Sequence, residues 1–313
     1  MAEALRATSL TKSFGSFTAV DNISLMVEEG KIYGFLGANG AGKSTTIKMF
    51  CGIFPPTSGE ATILGYDVAK YPDKVKENIG YMSQKFSLYN DLKVRENIEF
   101  YGGIHRLSSA QLNSRMEEII AMANLAGKAD VYTGTLSGGM KQRLALGCSI
   151  IHQPRVLFLD EPTAAVDPAA RRHFWDLIHT MSASGITIFV TSHYMDEVEE
   201  CHQVALMHNG RIAAAGNVQE LKQKEIPGDI LHAEGSPADV LKSALNKLPS
   251  VLRVDAYGLG FHAILRKGHL GNLNELARQI RKSAQGKIEG LRLKKIHPSM
   301  EDVFIWVIGQ NEN

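Results

Sequence analysis

The chain has 313 residues, room for two domains of the usual ~150 residues each and for a sizeable core. Lys and Arg total 34 against 33 Asp and Glu, a net charge of +1, so no field of one sign exists to draw the whole surface onto nucleic acid. Hydrophobic residues make up 44% and charged ones 21%, yet no apolar run reaches the ~18 residues of a membrane span. The start MAEALRATSL carries no basic-then-apolar leader, so a cytosolic chain that does not itself cross a bilayer is expected. Cys51, Cys148 and Cys201 are odd in number and far apart, unlike a disulfide framework or a paired zinc site, and are expected as small core residues.

In chain order, the first 30 residues predict turn-punctuated strands over 10–14, 17–20 and 23–27, an antiparallel sheet flanking the core. Short apolar strands, among them 32–36, 156–159 and 186–190, then alternate with longer amphipathic helices as far as residue 221. That alternation predicts an α/β domain around a largely parallel sheet. The chain turns polar at 223–229, where Pro227 and Gly228 interrupt it, and the expected domains are 5–222 and 229–313. The second reads strand 230–233, helix 237–248, strands 251–256 and 261–265, helix 273–284 and strand 288–294. This is a split βαββαβ, ferredoxin-like α+β pattern. A last helix starts at Ser299, which can cap it with Asp302 three residues on, and its expected apolar face is Val303, Phe304, Val307 and Ile308. Residues 222–313 hold 14 basic and 10 acidic side chains, an imbalance too small to name a partner. There is no internal repeat, so each motif below occurs once.

Residues 31–36 read as a buried strand running straight into Gly37-Ala38-Asn39-Gly40-Ala41-Gly42-Lys43-Ser44, with a helix following from Thr45. This is the G-x-x-x-x-G-K-[ST] pattern in its required context. Glycines 37, 40 and 42 are expected to take positive φ and turn backbone N–H groups inward, beside the positive end of a helix. The expected ligand is a polyphosphate, with Lys43 reaching its β and γ phosphates and the Ser44 hydroxyl binding Mg²⁺. The strand 156–159 ends in Asp160-Glu161, at the carboxyl edge where parallel sheets bind ligands. Asp160 would hold Mg²⁺ through its water shell, and Glu161 could act as general base toward an attacking water. Ser137-Gly138-Gly139 opens a helix with the apolar face Leu144, Ala145, Cys148 and Ile151, and its free N–H groups form a second anion site.

With Leu136-Ser137-Gly138-Gly139-Met140 followed by Lys141-Gln142-Arg143, residues 5–221 closely resemble the nucleotide-binding subunit of an ATP-binding cassette (ABC) transporter. The family's motifs fall in order: phosphate loop, glutamine loop at Gln84, signature, the Asp160-Glu161 strand, a D-loop, then His193. The resemblance implies a P-loop NTPase cassette with a mainly parallel sheet, a flanking antiparallel sheet and a helical subdomain, using ATP and Mg²⁺. It implies two subunits packed head to tail, as a homodimer or with a close paralogue, the signature of one facing the γ-phosphate held by the other. It further implies that Phe14, in the step Phe14-Gly15, stacks on adenine. Gln84 would sense Mg²⁺ and the attacking water while its loop touches the membrane subunit, residues 92–97 resembling the stretch that follows. His193 would contact the γ-phosphate and position the catalytic group.

Two positions depart from the family pattern: Met140 stands where glutamine is common, and Ala165 replaces a glycine before Val166-Asp167. Neither removes a charged or phosphate-binding group, so hydrolysis is expected to survive. The close at 296–305 resembles the P-S-x-E-D-V-F ending of ATPases of the drug-resistance, ABC-2 exporter group. The implied protein is an ATPase that powers an exporter through nucleotide-driven dimer closure. It would sit peripherally on the cytoplasmic face of the inner membrane, with a separate integral-membrane permease as partner and no nucleic acid. The competing reading is a soluble ABC ATPase switching on ribosomes or DNA. Such translation factors usually carry two cassettes per chain and such DNA proteins long coiled coils, neither of which is present here.

Overall fold

Leu5, Ala7 and Leu10 are buried while Arg6, Thr8 and Ser9 face solvent, so β1 (Glu3–Phe14) is one long strand instead of a segment beginning at residue 10. β2 (Phe17–Glu28) is also continuous, because Asn22 takes φ +52° and absorbs the irregularity that the sequence marks as a turn. β3 (Ile32–Leu36), buried throughout, leads into α1 (Lys43–Phe50). β4 (Ser58–Ile63) and β5 (Tyr66–Asp67) complete an antiparallel sheet of order β2-β1-β4-β5. The computed structural model describes residues 2–85, 87–164 and 166–311, so the expectation for Ala165 lies outside the described residues.

The rest of the first unit follows as α2 (Pro72–Asn78), β6 (Ile79–Met82), α3 (Val94–Ile104), α4 (Ser109–Met122), α5 (Gly138–Ser149), β7 (Val156–Asp160), α6 (Pro168–Ala183), β8 (Thr187–Ser192), β9 (Gln203–His208) and β10 (Arg211–Gly216). Its second sheet has the order β10-β9-β3-β8-β7-β6, parallel except for β10. Between the sheets lies an aromatic core in which the Phe189 ring stands 5.3 Å from Phe35, 5.5 Å from Phe50 and 5.7 Å from Phe158. Burying each such ring contributes about 1.5–3 kcal/mol, which holds the carboxyl ends of β3, β7 and β8 in one rigid row. A separate core, with Ile98, Ile119, Leu144 and Ile151, joins α3, α4 and α5. The three cysteines are free and buried, and burial pushes the Cys148 thiol up to about 12.

The second compact unit begins at Asn217, earlier than the sequence boundary, because α7 (Val218–Lys224) packs with α10 (Met300–Asn311). Between them come β11 (Gly228–Ser236), α8 (Ala238–Asn246), β12 (Val251–Tyr257), β13 (Gly260–Arg266), α9 (Leu273–Ser283) and β14 (Glu289–Ile296). The order β12-β13-β11-β14, antiparallel throughout, is the sheet of a split βαββαβ unit. Leu231, Ala233, Ala263 and Leu265 form one core with Leu241, Leu245, Leu276 and Ile280 of α8 and α9. α10 is capped reciprocally: Asp302 N–H donates to Ser299 Oγ at 3.2 Å, and Ser299 N–H to Asp302 Oδ2 at 2.8 Å. Val303 and Val307 are buried as expected, whereas Phe304 and Ile308 are half-buried; Met300 and Asp302 are buried in their stead. Among the described residues no helix is long and apolar enough to cross a membrane.

Candidate active site

Leu36 pairs with Ser192 and Asp160 with Thr191, so the carboxyl ends of β3, β7 and β8 lie side by side, and the candidate residues gather there. Gly42 caps α1 with φ +109°, and a Cβ at that point would lie 2.4 Å from Ala19 O. Gly40 also has positive φ, but Gly37 does not. The requirement at Gly37 is space, since a Cβ there would stand 2.3 Å from Met207 O. Within the loop, Ala41 is buried and its N–H donates to Ala38 O at 3.1 Å. Asn39, Gly40, Gly42, Lys43, Ser44 and Thr45 line a cavity of about 370 Å³ together with Phe17, Ala19, Gln84 and Glu161. A larger cavity of about 980 Å³ in the second unit is lined by Lys222, Lys267 and His297 and has no comparable convergence of buried charge.

Lys43 is 4% exposed; its ammonium donates to Gly37 O at 2.8 Å and Ala38 O at 3.2 Å, and stands 3.1 Å from Glu161 Oε1. The other Glu161 oxygen accepts from Gln84 Nε2 at 2.9 Å, while His193 Nδ1 lies 3.3 Å from it, off the hydrogen-bond axis. Three expected side chains, Lys43 from the phosphate-loop pattern and Gln84 and His193 from the family resemblance, thus meet on the carboxylate of a fourth. Glu161 sits in the left-handed region at φ +48°, a conformation that costs an ordinary residue roughly 1–3 kcal/mol and gathers at functional sites. Its N–H donates to Thr191 Oγ1 at 2.9 Å, and that hydroxyl donates in turn to Asp160 Oδ1 at 2.8 Å. Ser44 Oγ donates to the same Asp160 oxygen at 3.0 Å.

Ser44 and Asp160 therefore present a hydroxyl and a carboxylate side by side next to the phosphate cradle. No group of three His, Cys, Asp or Glu among the described residues could hold a metal by itself. Hard oxygen donors, one of them a carboxylate, beside a phosphate site fit Mg²⁺, which completes its shell with water and substrate phosphates.

Other expected residues lie elsewhere. Phe14, half exposed, packs edge-on against Phe54 at 5.6 Å and is absent from the cavity lining; its cross-strand partner Phe17 lines it instead. Ser137, Gly138 and Gly139 form the start of α5, with Ser137 Oγ accepting from Met140 N–H at 3.4 Å, and do not line the cavity of their own chain. Phe17, Ala19 and Thr191 were not reached from sequence. Thr191 lies in the wholly buried strand β8, where a β-branched residue signals only strand.

Residues 20–164 match the family described as ABC transporter. The chain is 47% identical over 221 residues to the probable multidrug ABC transporter ATP-binding protein YbhF of Escherichia coli K12. That alignment covers 70% of this chain but only 38% of that protein, so the chain spans well under half the length of this relative. It is 33% identical over 308 residues to the Nod factor export ATP-binding protein I of Ralstonia nicotianae, covering 98% of this chain and 94% of that one. Among solved structures, cbiO1 of Clostridium perfringens, part of the ABC transporter complex cbiONQ, aligns with a TM-score of 0.66 and 27% identity over 80% of this chain and 97% of that one. With the P-loop α/β cassette in its first unit and a relative matched along nearly its whole length, the chain belongs to the ATP-binding proteins of ABC transporters.

Proposed function

We propose that this chain is the ATP-binding and ATP-hydrolysing subunit of an ABC exporter. The observation that carries the reading is the convergence of Lys43, Gln84 and His193 on the buried Glu161 carboxylate at the mouth of a phosphate-cradling loop. Lys43 lies against that loop, where its ammonium is in reach of the β and γ phosphates of ATP. Glu161 accepts the proton of the attacking water, and Gln84 holds one of its oxygens, with His193 close beside it, so that the carboxylate keeps one direction. Ser44, with Asp160 behind it, would hold Mg²⁺, which when bound neutralises charge across the β and γ phosphate oxygens.

The Ser137-Gly138-Gly139 tip stands off the cavity of its own chain, which supports a head-to-tail dimer, with itself or a close paralogue, in which that tip completes the partner's site. Residues 5–222 would act as the nucleotide-binding domain and 229–313 as an accessory domain that steadies or regulates the dimer. Relatives named for multidrug transport and Nod factor export support the export reading, under which the chain would sit peripherally on the cytoplasmic face of the inner membrane against a separate permease. Cross-linking from Lys93, which lies in the 92–97 stretch beyond the glutamine loop, tests the partner: capture of an integral-membrane protein in native membranes is expected. Cross-links to ribosomal proteins alone would overturn the transport reading in favour of a soluble switch.

A further inference from the structure

Glu197 is 3% exposed, a buried acid that the proposed chemistry leaves unused. It stands in an acidic run, Asp196-Glu197-Val198-Glu199-Glu200, yet Asp196, Glu199 and Glu200 are exposed and only Glu197 turns inward. Its two oxygens are taken by two different segments. Thr163 Oγ1 donates to Oε1 at 2.5 Å, and Ser192 Oγ donates to Oε2 at 2.7 Å. Thr163 lies two residues after Glu161, and Ser192 immediately precedes His193. Ser192 Oγ also accepts from Tyr194 N–H at 2.9 Å, so the chain on both sides of His193 hangs on this one hydroxyl.

Arg171 of α6 provides the counter-charge, with Nε 3.3 Å from Glu197 Oε1. Its guanidinium lies 4.1 Å from the centre of the Tyr194 ring, and that ring stands 4.1 Å from the His193 imidazole. A buried carboxylate costs several kcal/mol to desolvate and is kept only where charge-assisted hydrogen bonds satisfy it. Here those bonds join the segment carrying the general base to the segment carrying the histidine.

We propose that Glu197 is a positioning residue whose carboxylate fixes the spacing between Glu161 and His193, so that its loss slows hydrolysis without weakening ATP binding. Glu197→Gln keeps the volume but removes the charge facing Arg171 and replaces one acceptor oxygen with a donor, so the hydroxyl proton of Thr163 or Ser192 loses its acceptor. Misplacing a reacting group by a fraction of an ångström to an ångström is enough to cost one to two powers of ten. Glu197, Thr163, Ser192 and Arg171 are absent from the lining of the phosphate cavity, so ATP binding is expected to be spared.

The test is steady-state hydrolysis and ATP affinity of the full-length chain. Glu197→Gln is expected to lower kcat by about tenfold or more while Kd for ATP stays within about twofold of the parent. Combined with His193→Ala, it should cost no more than His193→Ala alone, because both act on the same contact. A parent-like kcat, a parallel loss of affinity, or independent losses in the double variant would each overturn the proposal. If Glu197→Gln fails to fold, Thr163→Val and Thr163→Ser replace it: the valine should lose rate and the serine, which restores the hydroxyl, should recover it. Equal rates for the two would overturn the proposal. Because this role rests on the hydrolytic reading of the site, Glu161→Gln is measured alongside. Parent-like turnover by that variant sinks the assignment of Glu161 as general base, whereas its inactivity beside a fully active Glu197→Gln sinks the positioning role alone.

Discussion

Glu161 in the first unit and Asp302 in the second are both buried carboxylates, 7% and 6% exposed, and each faces a histidine. Asp302 is a closed account of partners. His262 Nδ1 lies 2.7 Å from one oxygen, Ser299 donates to the other through both N–H and hydroxyl, and the His262 ring stacks on Tyr257 at 3.7 Å. Burial works to raise the Asp302 carboxyl, and the bonds from His262 and then Ser299 outweigh it and hold it below the usual aspartate range. Glu161 instead gathers Lys43, Gln84 and His193 from three distant segments, sits on a strained backbone, and borders a cavity of about 370 Å³. The same pair of residue types is structural where the partners enclose it and points to chemistry where they leave one side open.

The sharpest break of this comparison is substitution of each acid's key group. Glu161→Gln should lower ATP turnover by on the order of 10³-fold, as expected for loss of a general base, and ATP-bound dimers should accumulate in size-exclusion chromatography. Rapid turnover would mean that Glu161 is as structural as Asp302. His262→Ala leaves one oxygen of the buried Asp302 carboxylate without its partner while Ser299 keeps the other, and hydrogen–deuterium exchange over 300–311 should report a local destabilisation of about 3 kcal/mol. Unchanged exchange there would remove the claim that the pair secures α10. Lys43→Ala should weaken ATP binding by about 2 kcal/mol, about 30-fold, in a fluorescence titration, since charge-assisted bonds are lost. Unaltered affinity would count against the cradle.

The smallest effect is one of pH. The folded Asp302 carboxyl is depressed, so its stabilisation is complete above the usual aspartate range and is lost as pH falls through the depressed value. Exchange at 300–311 should therefore accelerate on acidification into that window, and Asp302→Asn should flatten the dependence. A dependence that persists in the Asn variant would assign it to another group.

The phosphate loop and the Asp160-Glu161 strand end were legible because their chemistry is local: a buried strand, a glycine turn and a helix start follow one another within a few residues. Gln84 and His193 could be reached only through family resemblance, since no spacing in the chain says that residues 84, 161 and 193 meet. Phe14 against Phe17 shows a finer limit. The two pair across one hairpin, and which ring faces the cavity depends on the twist of β1 and β2, which a string of letters does not carry. Glu197 was hidden for the opposite reason, one inward acid in a run that reads as solvated. The second unit's strands and helices were legible from their alternating patterns, whereas the packing of α7 against α10, which draws residues 217–224 into that unit, is not a pattern the local sequence carries.

α5 is notched along its back. A methyl group at Gly147 would lie 2.4 Å from Ile119 Cγ2 of α4, and one at Gly139 would lie 2.9 Å from Ala170 Cβ of α6. The helix capped by Ser137 is therefore wedged tightly against two neighbours, one at its first turn and one near its far end, and its tip is aimed by the smallness of both glycines. Alanine at 147 stands off the phosphate cavity, yet in the proposed dimer it would tilt the tip offered to a second molecule, so the fit of that assembly would depend on one hydrogen atom well back along the helix.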